Sequence, residues 1–322
     1  MTELAICTDS LCKRFGSLHA VENLSLQVPS GIVFGFLGPN GAGKTTTIRL
    51  LLDLLCPDQG TAEVLGFNTH KDGQLIREFC GVLLEHDGLY ERLSAEDNLE
   101  LYGKIYRLSK AERSSRIREL LTHINLWERR TEKIGGWSYG MKKKLAVARA
   151  LIHHPRLVFL DEPTAGLDPI AAASLRDDLS KLVRNDGATV FLTTHNLAEV
   201  EKLCNRVAVI NEGKLVASGT PYELESTVNV QQVEVMGLCF DQTVINLLSE
   251  RPEVKEVHLN QEGCLQLLVN SEVKIAPLVR LLVEAGAQVE EVRKNRPDLE
   301  QVFLNLVSEG KAIKKLTRFN KL

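Results

Sequence analysis

The sequence predicts an α/β protein in two folded parts, a large domain built on a parallel sheet and a smaller α+β domain after it. Three observations carry this expectation. A glycine-rich octet, GPNGAGKT at 38–45, stands between a short apolar run and a helical pattern. A second apolar run, Leu157 to Leu160, ends in Asp161 and Glu162. Beyond Thr227 the periodicity changes to short alternating runs. The length of 322 residues agrees with such a division, because a single core stops growing at roughly 250–300 residues.

Taken in order, residues 4–30 alternate apolar and polar positions and close on VPSG, which predicts antiparallel strands beside the main sheet. Ile32 to Leu37 reads as a strand and Thr46 to Leu55 as a helix, so 38–45 is the turn between them. Residues 86–150 carry helical periodicity (NLELYGKIYRL, RIRELLTHINL) with few strand signals, which predicts an inserted helical subdomain. Within it Ser94, with Asp97 three residues on, reads as an N-cap. So does Ser138, which precedes the basic amphipathic stretch of GGWSYGMKKKLAVARAL. Leu157 to Leu160 and ATVFLTT at 188–194 read as buried parallel strands, the second ending at His195. From 227 the order is VQQVEVMG, a helix near 241–250, VKEVHL, CLQLLV, a helix near 272–286, and AQVEEVRK. That βαββαβ order is the ferredoxin-like α+β arrangement. The expected boundaries are 1–226, 227–308 and a basic tail at 309–322, read either as a solvated terminus or as a weak membrane-surface contact.

Composition narrows the function classes. Hydrophobic residues make up 44% and charged residues 25% of the chain, and the formal net charge is −3. This is an ordinary globular balance with no bulk field for nucleic acid, so no nucleic-acid partner is expected. No apolar run approaches the ~18 residues that span a bilayer, and MTELAICTDS has neither a basic start nor a hydrophobic signal core, so a cytoplasmic location is expected. The seven cysteines are odd in number, scattered and without a CxxC pair. They indicate neither a disulfide framework nor a zinc site, and are read as buried reduced thiols.

GPNGAGKT has the spacing GxxxxGK[ST] in the strand, loop and helix order that a phosphate loop requires. Gly38, Gly41 and Gly43 allow backbone amides to turn inward, and the helix that follows aims its positive end at the same place. Lys44 supplies a point charge for the β and γ phosphates, and Thr45 a hydroxyl for Mg²⁺. A glycine-rich turn with no ligand is the competing reading. Asp161, at the carboxyl end of its strand, is placed for the Mg²⁺ shell, and Glu162 for polarising a water that attacks the γ-phosphate. His195 ends a strand that reaches the same edge.

With these residues in order, the chain resembles the nucleotide-binding subunit of an ABC transporter over about residues 4–225. The motifs that carry the resemblance are GPNGAGKT, WSYGM, LVFLDE, AGLD at 165–168 and His195. The resemblance implies a P-loop NTPase core with antiparallel β and helical subdomains. It implies ATP and Mg²⁺ bound by Gly38, Pro39, Asn40, Gly41, Ala42, Gly43, Lys44, Thr45 and Thr46, with Phe15 stacked on the adenine; a plug in the core of the small N-terminal sheet is the other reading of Phe15. Two such domains pack head to tail in that family, as a homodimer or a paired subunit, so that Ser138 and Gly140 face a γ-phosphate held by the other chain. Asp168 matches the loop that crosses between subunits, and His195 the residue that touches the γ-phosphate.

The chain departs from the family pattern twice: Tyr139 stands where the signature LSGGQ has its first glycine, and Glu85 where a glutamine is common. Glu85 is read as a carboxylate able to meet Mg²⁺ directly, or as a plain surface residue. The function this implies is an ATP-hydrolysing subunit, peripheral on the cytoplasmic face, that powers a separate integral membrane permease of the exporter kind. Many exporter subunits resembling this chain end in a comparable C-terminal module, closed by a segment like PDLEQVFLNL at 297–306. A soluble ABC ATPase acting on ribosomes or nucleic acid, and a small-molecule kinase, are the alternatives.

Overall fold

Mostly apolar runs form the inner strands, and alternating runs form the layer beside them. In the computed structural model the chain starts β1 (Leu4–Phe15), β2 (Leu18–Pro29), β3 (Val33–Leu37), α1 (Lys44–Leu51), β4 (Gln59–Val64), β5 (Phe67–Asn68), α2 (Gly73–Phe79) and β6 (Cys80–Leu83). Three helices follow, α3 (Ala95–Ile105), α4 (Lys110–His123) and α5 (Tyr139–Ala150). Then come β7 (Leu157–Asp161), α6 (Pro169–Asp186), β8 (Thr189–Thr194), α7 (Leu197–Leu203), β9 (Arg206–Asn211) and β10 (Lys214–Gly219). The last elements are α8 (Pro221–Thr227), β11 (Val230–Leu238), α9 (Gln242–Ser249), β12 (Val254–Leu259), β13 (Leu265–Asn270), α10 (Ile275–Glu284) and β14 (Gln288–Asn295). The structure describes residues 3–227, 230–260, 263–270, 273–295 and 303. The segment at 297–306, apart from Phe303, and the basic tail lie outside them. The chain divides into two units, one reaching to Pro221 and the next starting at Tyr222.

In the first unit, β3, β7 and β8 are buried along their whole length, as strands of a parallel sheet covered on both faces must be. They lie in a six-stranded sheet of order β10-β9-β3-β8-β7-β6, parallel except for β10 at one edge. A second, antiparallel sheet of order β2-β1-β4-β5 packs on it. The core between them includes Ile6, Leu24, Ile48 and a cluster around Phe191, whose ring lies 5.4–5.6 Å from those of Phe34, Phe36 and Phe159. The inserted helices start on local signals. Ser94 Oγ accepts from the Asp97 amide at 3.0 Å, and Ser109 with Glu112 closes a capping box.

The helix after the phosphate loop is shorter than its apolar pattern predicts. It ends at Leu51, because the chain turns at Asp53, which has a positive φ of 53°. The cysteine expectation needs correction as well. Cys80, Cys204 and Cys264 are buried, Cys7 and Cys12 half-buried, and Cys56 and Cys239 exposed, all as free thiols. Scattered spacing says nothing about which way a cysteine points; burial pushes the Cys80 thiol up to about 12.

In the second unit, β11 pairs with both β13 and β14, giving the antiparallel order β12-β13-β11-β14. This is the strand order of a ferredoxin-like sheet. Val233, Val235, Leu265 and Leu267 pack against Leu248, Leu278 and Leu282 of the two helices.

Candidate functional site

The parallel register gathers residues that are far apart in sequence. Leu37 lies opposite Thr194, and Asp161 opposite Thr193. The segments leaving β3, β7 and β8 therefore emerge at one carboxyl-terminal edge, where open α/β sheets receive ligands.

The loop from Gly38 to Thr45 is shaped by close backbone approaches. A Cβ on Gly38 would lie 2.4 Å from the Ile210 carbonyl oxygen, and one on Gly43 would lie 2.2 Å from that of Ala20, with φ 105° at Gly43. Gly43 is also the N-cap of α1 and offers no side-chain cap, so the first amides of the helix open into the loop. The Ala42 amide donates to the Pro39 carbonyl at 3.1 Å, and the Ala42 carbonyl accepts from the Gly213 amide at 3.0 Å, which fixes the loop against the β9–β10 turn. Lys44 is 6% exposed. Its Nζ donates to the Gly38 carbonyl at 2.8 Å and the Pro39 carbonyl at 3.2 Å, and lies 3.6 Å from Glu162 Oε1. A buried ammonium beside open helical amides is an anion receptor.

Two hydroxyls hold the Asp161 carboxylate. Thr45 Oγ1 donates to Oδ2 at 2.7 Å, and the Thr193 hydroxyl donates to Oδ1. These are hard oxygen donors of the kind that Mg²⁺ prefers. Glu162 has φ 49°, a left-handed conformation, and its amide donates to both the carbonyl and the hydroxyl of Thr193, each at 3.1 Å. Its carboxylate bridges Lys44 and His195, with Oε2 3.2 Å from His195 Nδ1.

Of these groups, Gly43, Lys44, Thr45, Asp161 and Glu162 border a cleft of about 640 Å³, and His195 is tied to it through Glu162. Phe15, Asn40, Gly41, Gly43, Lys44, Thr45 and Thr46 line it, and so do Glu85, Asp161 and Glu162. Phe15 is 48% exposed, so its ring does not plug the core. Glu85 is exposed, with its carboxylate 3.7 Å from Arg49 Nη2. Within the loop Gly38 and Ala42 are buried and Pro39 is half-buried.

Ser138, Gly140 and Asp168 are not among the cleft-lining residues. Ser138 is exposed and accepts from the Met141 amide at 3.3 Å as the N-cap of α5. Gly140 lies beside Leu167, where an added Cβ would meet Cδ2 at 3.6 Å. Asp168 caps α6, accepting from the amides of Ile170 (3.0 Å) and Ala171 (2.9 Å).

Sequence reasoning missed Thr193, Glu199 and Lys143 at or near this site, and had Tyr139 only as a departure from the family signature. Thr193 ties Asp161 to the Glu162 backbone. Glu199, 1% exposed, accepts from Thr164 at 2.7 Å and Thr194 at 3.1 Å and so braces the segment around His195. Tyr139 and Lys143 of α5 line the cleft, and the buried Lys143 pairs with Asp87 at 3.2 Å. The Thr-Thr pair before His195 was the available signal for Thr193; the KKK run hid Lys143 as one more basic position.

A profile of the ABC transporter family matches residues 21–165. The daunorubicin resistance ATP-binding protein DrrA3 of Streptomyces coeruleorubidus is 36% identical over 98% of this chain and 99% of its own length. The bacitracin transport ATP-binding protein BcrA of Bacillus licheniformis is 34% identical over 95% of this chain and 98% of its own. The Nod factor export ATP-binding protein I of Rhizobium sp. (strain N33) is 36% identical over 95% and 98%. Among solved structures, one described as the ATP binding subunit of an ABC transporter superposes with a TM-score of 0.64 at 30% identity, over 69% of this chain and 92% of its own. A dimeric ATP-binding cassette in a post-hydrolysis state, bound to ADP and Pi, superposes with a TM-score of 0.61 at 26% identity, over 67% and 98%.

Proposed function

The chain belongs to the ABC transporter family as an ATP-binding subunit, and from that premise we propose that it hydrolyses ATP to drive a separate integral membrane permease that works as an exporter. The observation that carries this is the cleft lined by Lys44, Thr45, Asp161 and Glu162, with Thr45 bonded to Asp161 and Glu162 linking Lys44 to His195. The export sense rests on relatives named for resistance and export that match nearly the whole chain, including its second unit.

In this reading Phe15 stacks on the adenine, and the loop amides from Gly38 to Thr46 take the phosphates. Lys44 exchanges its carbonyl partners for phosphate oxygens, gaining charge-assisted bonds. Thr45 and Asp161 would hold Mg²⁺, with Glu85 at the rim; the ion, when bound, would neutralise charge on the phosphates. Glu162 accepts a proton from the attacking water, and His195, bonded to Glu162, orients that carboxylate and meets the γ-phosphate. Ser138 and Gly140, at the amino end of α5, close the site of a second ATP-binding subunit, so that MgATP joins two chains, and Asp168 lies on that interface. The pair sits on the cytoplasmic face of the membrane against the permease.

Glu162→Gln keeps shape and removes the proton acceptor. Turnover is expected to fall by on the order of 10²–10⁴-fold, while MgATP binding survives and a dimer appears in size-exclusion chromatography. A variant with parental turnover would remove Glu162 from the mechanism.

A further inference from the structure

We propose that Asp53, Cys56 and His70 form a binding site for a divalent transition-metal ion of the Zn²⁺ class, with water completing the coordination. Each residue offers one donor atom, and the three atoms lie within 4.8 Å of one another. Among the described residues this is the one group of three or more His, Cys, Asp or Glu donors so placed. It is separate from the nucleotide cleft and does not depend on the function proposed above.

The fold assembles the three from two segments. Asp53 and Cys56 follow α1, where the positive φ of Asp53 turns the chain, and Lys13 Nζ, on β1, donates to the Cys56 carbonyl at 2.7 Å. His70 arrives by the β4–β5 hairpin, in the turn before α2, where its amide donates to Asn68 Oδ1 at 3.1 Å. Gly73, at the start of α2, admits the Asp53 carboxylate: a Cβ there would lie 2.0 Å from Asp53 Oδ2. Arg77 Nη1 lies 3.7 Å from that oxygen and donates to the Leu52 carbonyl at 2.9 Å, which steadies the carboxylate from the side.

The donor set decides the ion. A thiolate, an imidazole and a carboxylate suit borderline-soft Zn²⁺ or Co²⁺, whereas Mg²⁺ and Ca²⁺ prefer oxygen donors throughout. Tetrahedral bonds of about 2.0–2.3 Å put donors roughly 3.5 Å apart. Cys56 and His70 are exposed, so both can draw in toward Asp53 without disturbing the core. Binding takes Cys56 as thiolate and His70 as neutral imidazole, and the thiol proton leaves to solvent. The ion would fasten the segment after the phosphate-loop helix to the antiparallel layer.

The test is titration of the full-length, reduced, nucleotide-free protein with Zn²⁺ and with Co²⁺. One ion per chain is expected, with a thiolate-to-cobalt charge-transfer band and a rise in melting temperature. Cys56→Ser should abolish the band, and His70→Ala should weaken Zn²⁺ binding by more than the ~10–100-fold that loss of an outer partner costs. Cys239→Ser, at the other exposed cysteine, should change neither. ATP binding measured on the same variants reports that they are folded. No stoichiometric binding, a band that survives Cys56→Ser, or unchanged affinity in His70→Ala would each overturn the site.

Discussion

Two helices of the first unit begin in opposite ways. The first turn of α1 is preceded by glycines, has no side-chain cap and encloses the buried Lys44. That of α5 is exposed and capped by Ser138, with Tyr139 as its first residue. Both ends carry the same partial positive charge. What differs is who satisfies the amides. At α1 no side chain accepts from the first amides, and the buried Lys44 brings its ammonium to the same loop. At α5 the serine accepts from the Met141 amide, one of the amides that a helix start leaves without an intrahelical partner. In the function proposed above, the uncapped start receives the phosphates and the capped one serves as a lid on a partner's site.

The strongest way to break that contrast is Gly43→Ala. It forces a side chain to φ 105° and to within 2.2 Å of the Ala20 oxygen, and a clash of this kind costs ~2 kcal/mol or more. The expected result is a lowered melting temperature with ATP binding lost; a stable variant that binds normally would show that the open helix start is dispensable. Next is Lys44→Ala, which leaves the amides and removes the charge. ATP affinity should drop about 10–100-fold, the worth of one charge-assisted bond, as read by calorimetry.

Ser138→Arg then probes the other helix. ATP affinity of the monomer should stay near the parental value while dimerisation and hydrolysis are lost, and mixing with Lys44→Ala should restore part of the turnover, since one composite site then carries both defects. A Ser138→Arg protein that dimerises and hydrolyses ATP normally defeats the role of that helix as a lid. The smallest effect belongs to Ser138→Ala, where loss of the cap costs roughly 0.5–2 kcal/mol in urea denaturation. A larger loss would mean that the serine supports more than its own helix.

Local chemistry was the legible part of the sequence. The octet at 38–45, the Asp161–Glu162 pair and His195 could be nominated because each sits where an apolar run stops. Their arrival at one edge depends on register between strands distant in sequence, and the parallel order of β3, β8 and β7 supplies it. The βαββαβ order after Thr227 was readable where a strand alternates over one buried face, as β13 does along its whole length and β11 does at Val233 and Val235. The end of α1 was not, since Leu52, Leu54 and Leu55 continue an apolar pattern after the backbone has turned. Nor was the meeting of Asp53 and Cys56 with His70, which a hairpin brings about and no motif spacing encodes. Thr193 escaped notice for a similar reason: its hydroxyl matters because of Asp161, 32 positions away.

The backbone of Glu162 carries a further consequence, for how such a gene can change over generations. A left-handed φ suits glycine and, less well, asparagine, and costs other residues on the order of 1–2 kcal/mol. Glu162 is held there by its two amide bonds to Thr193. Conformation alone would therefore favour drift to glycine, which would relieve the strain and delete the carboxylate. Under the function proposed above, selection for that carboxylate would oppose the drift, and a copy of the gene released from it should lose Glu162 before it loses the buried Asp161 beside it.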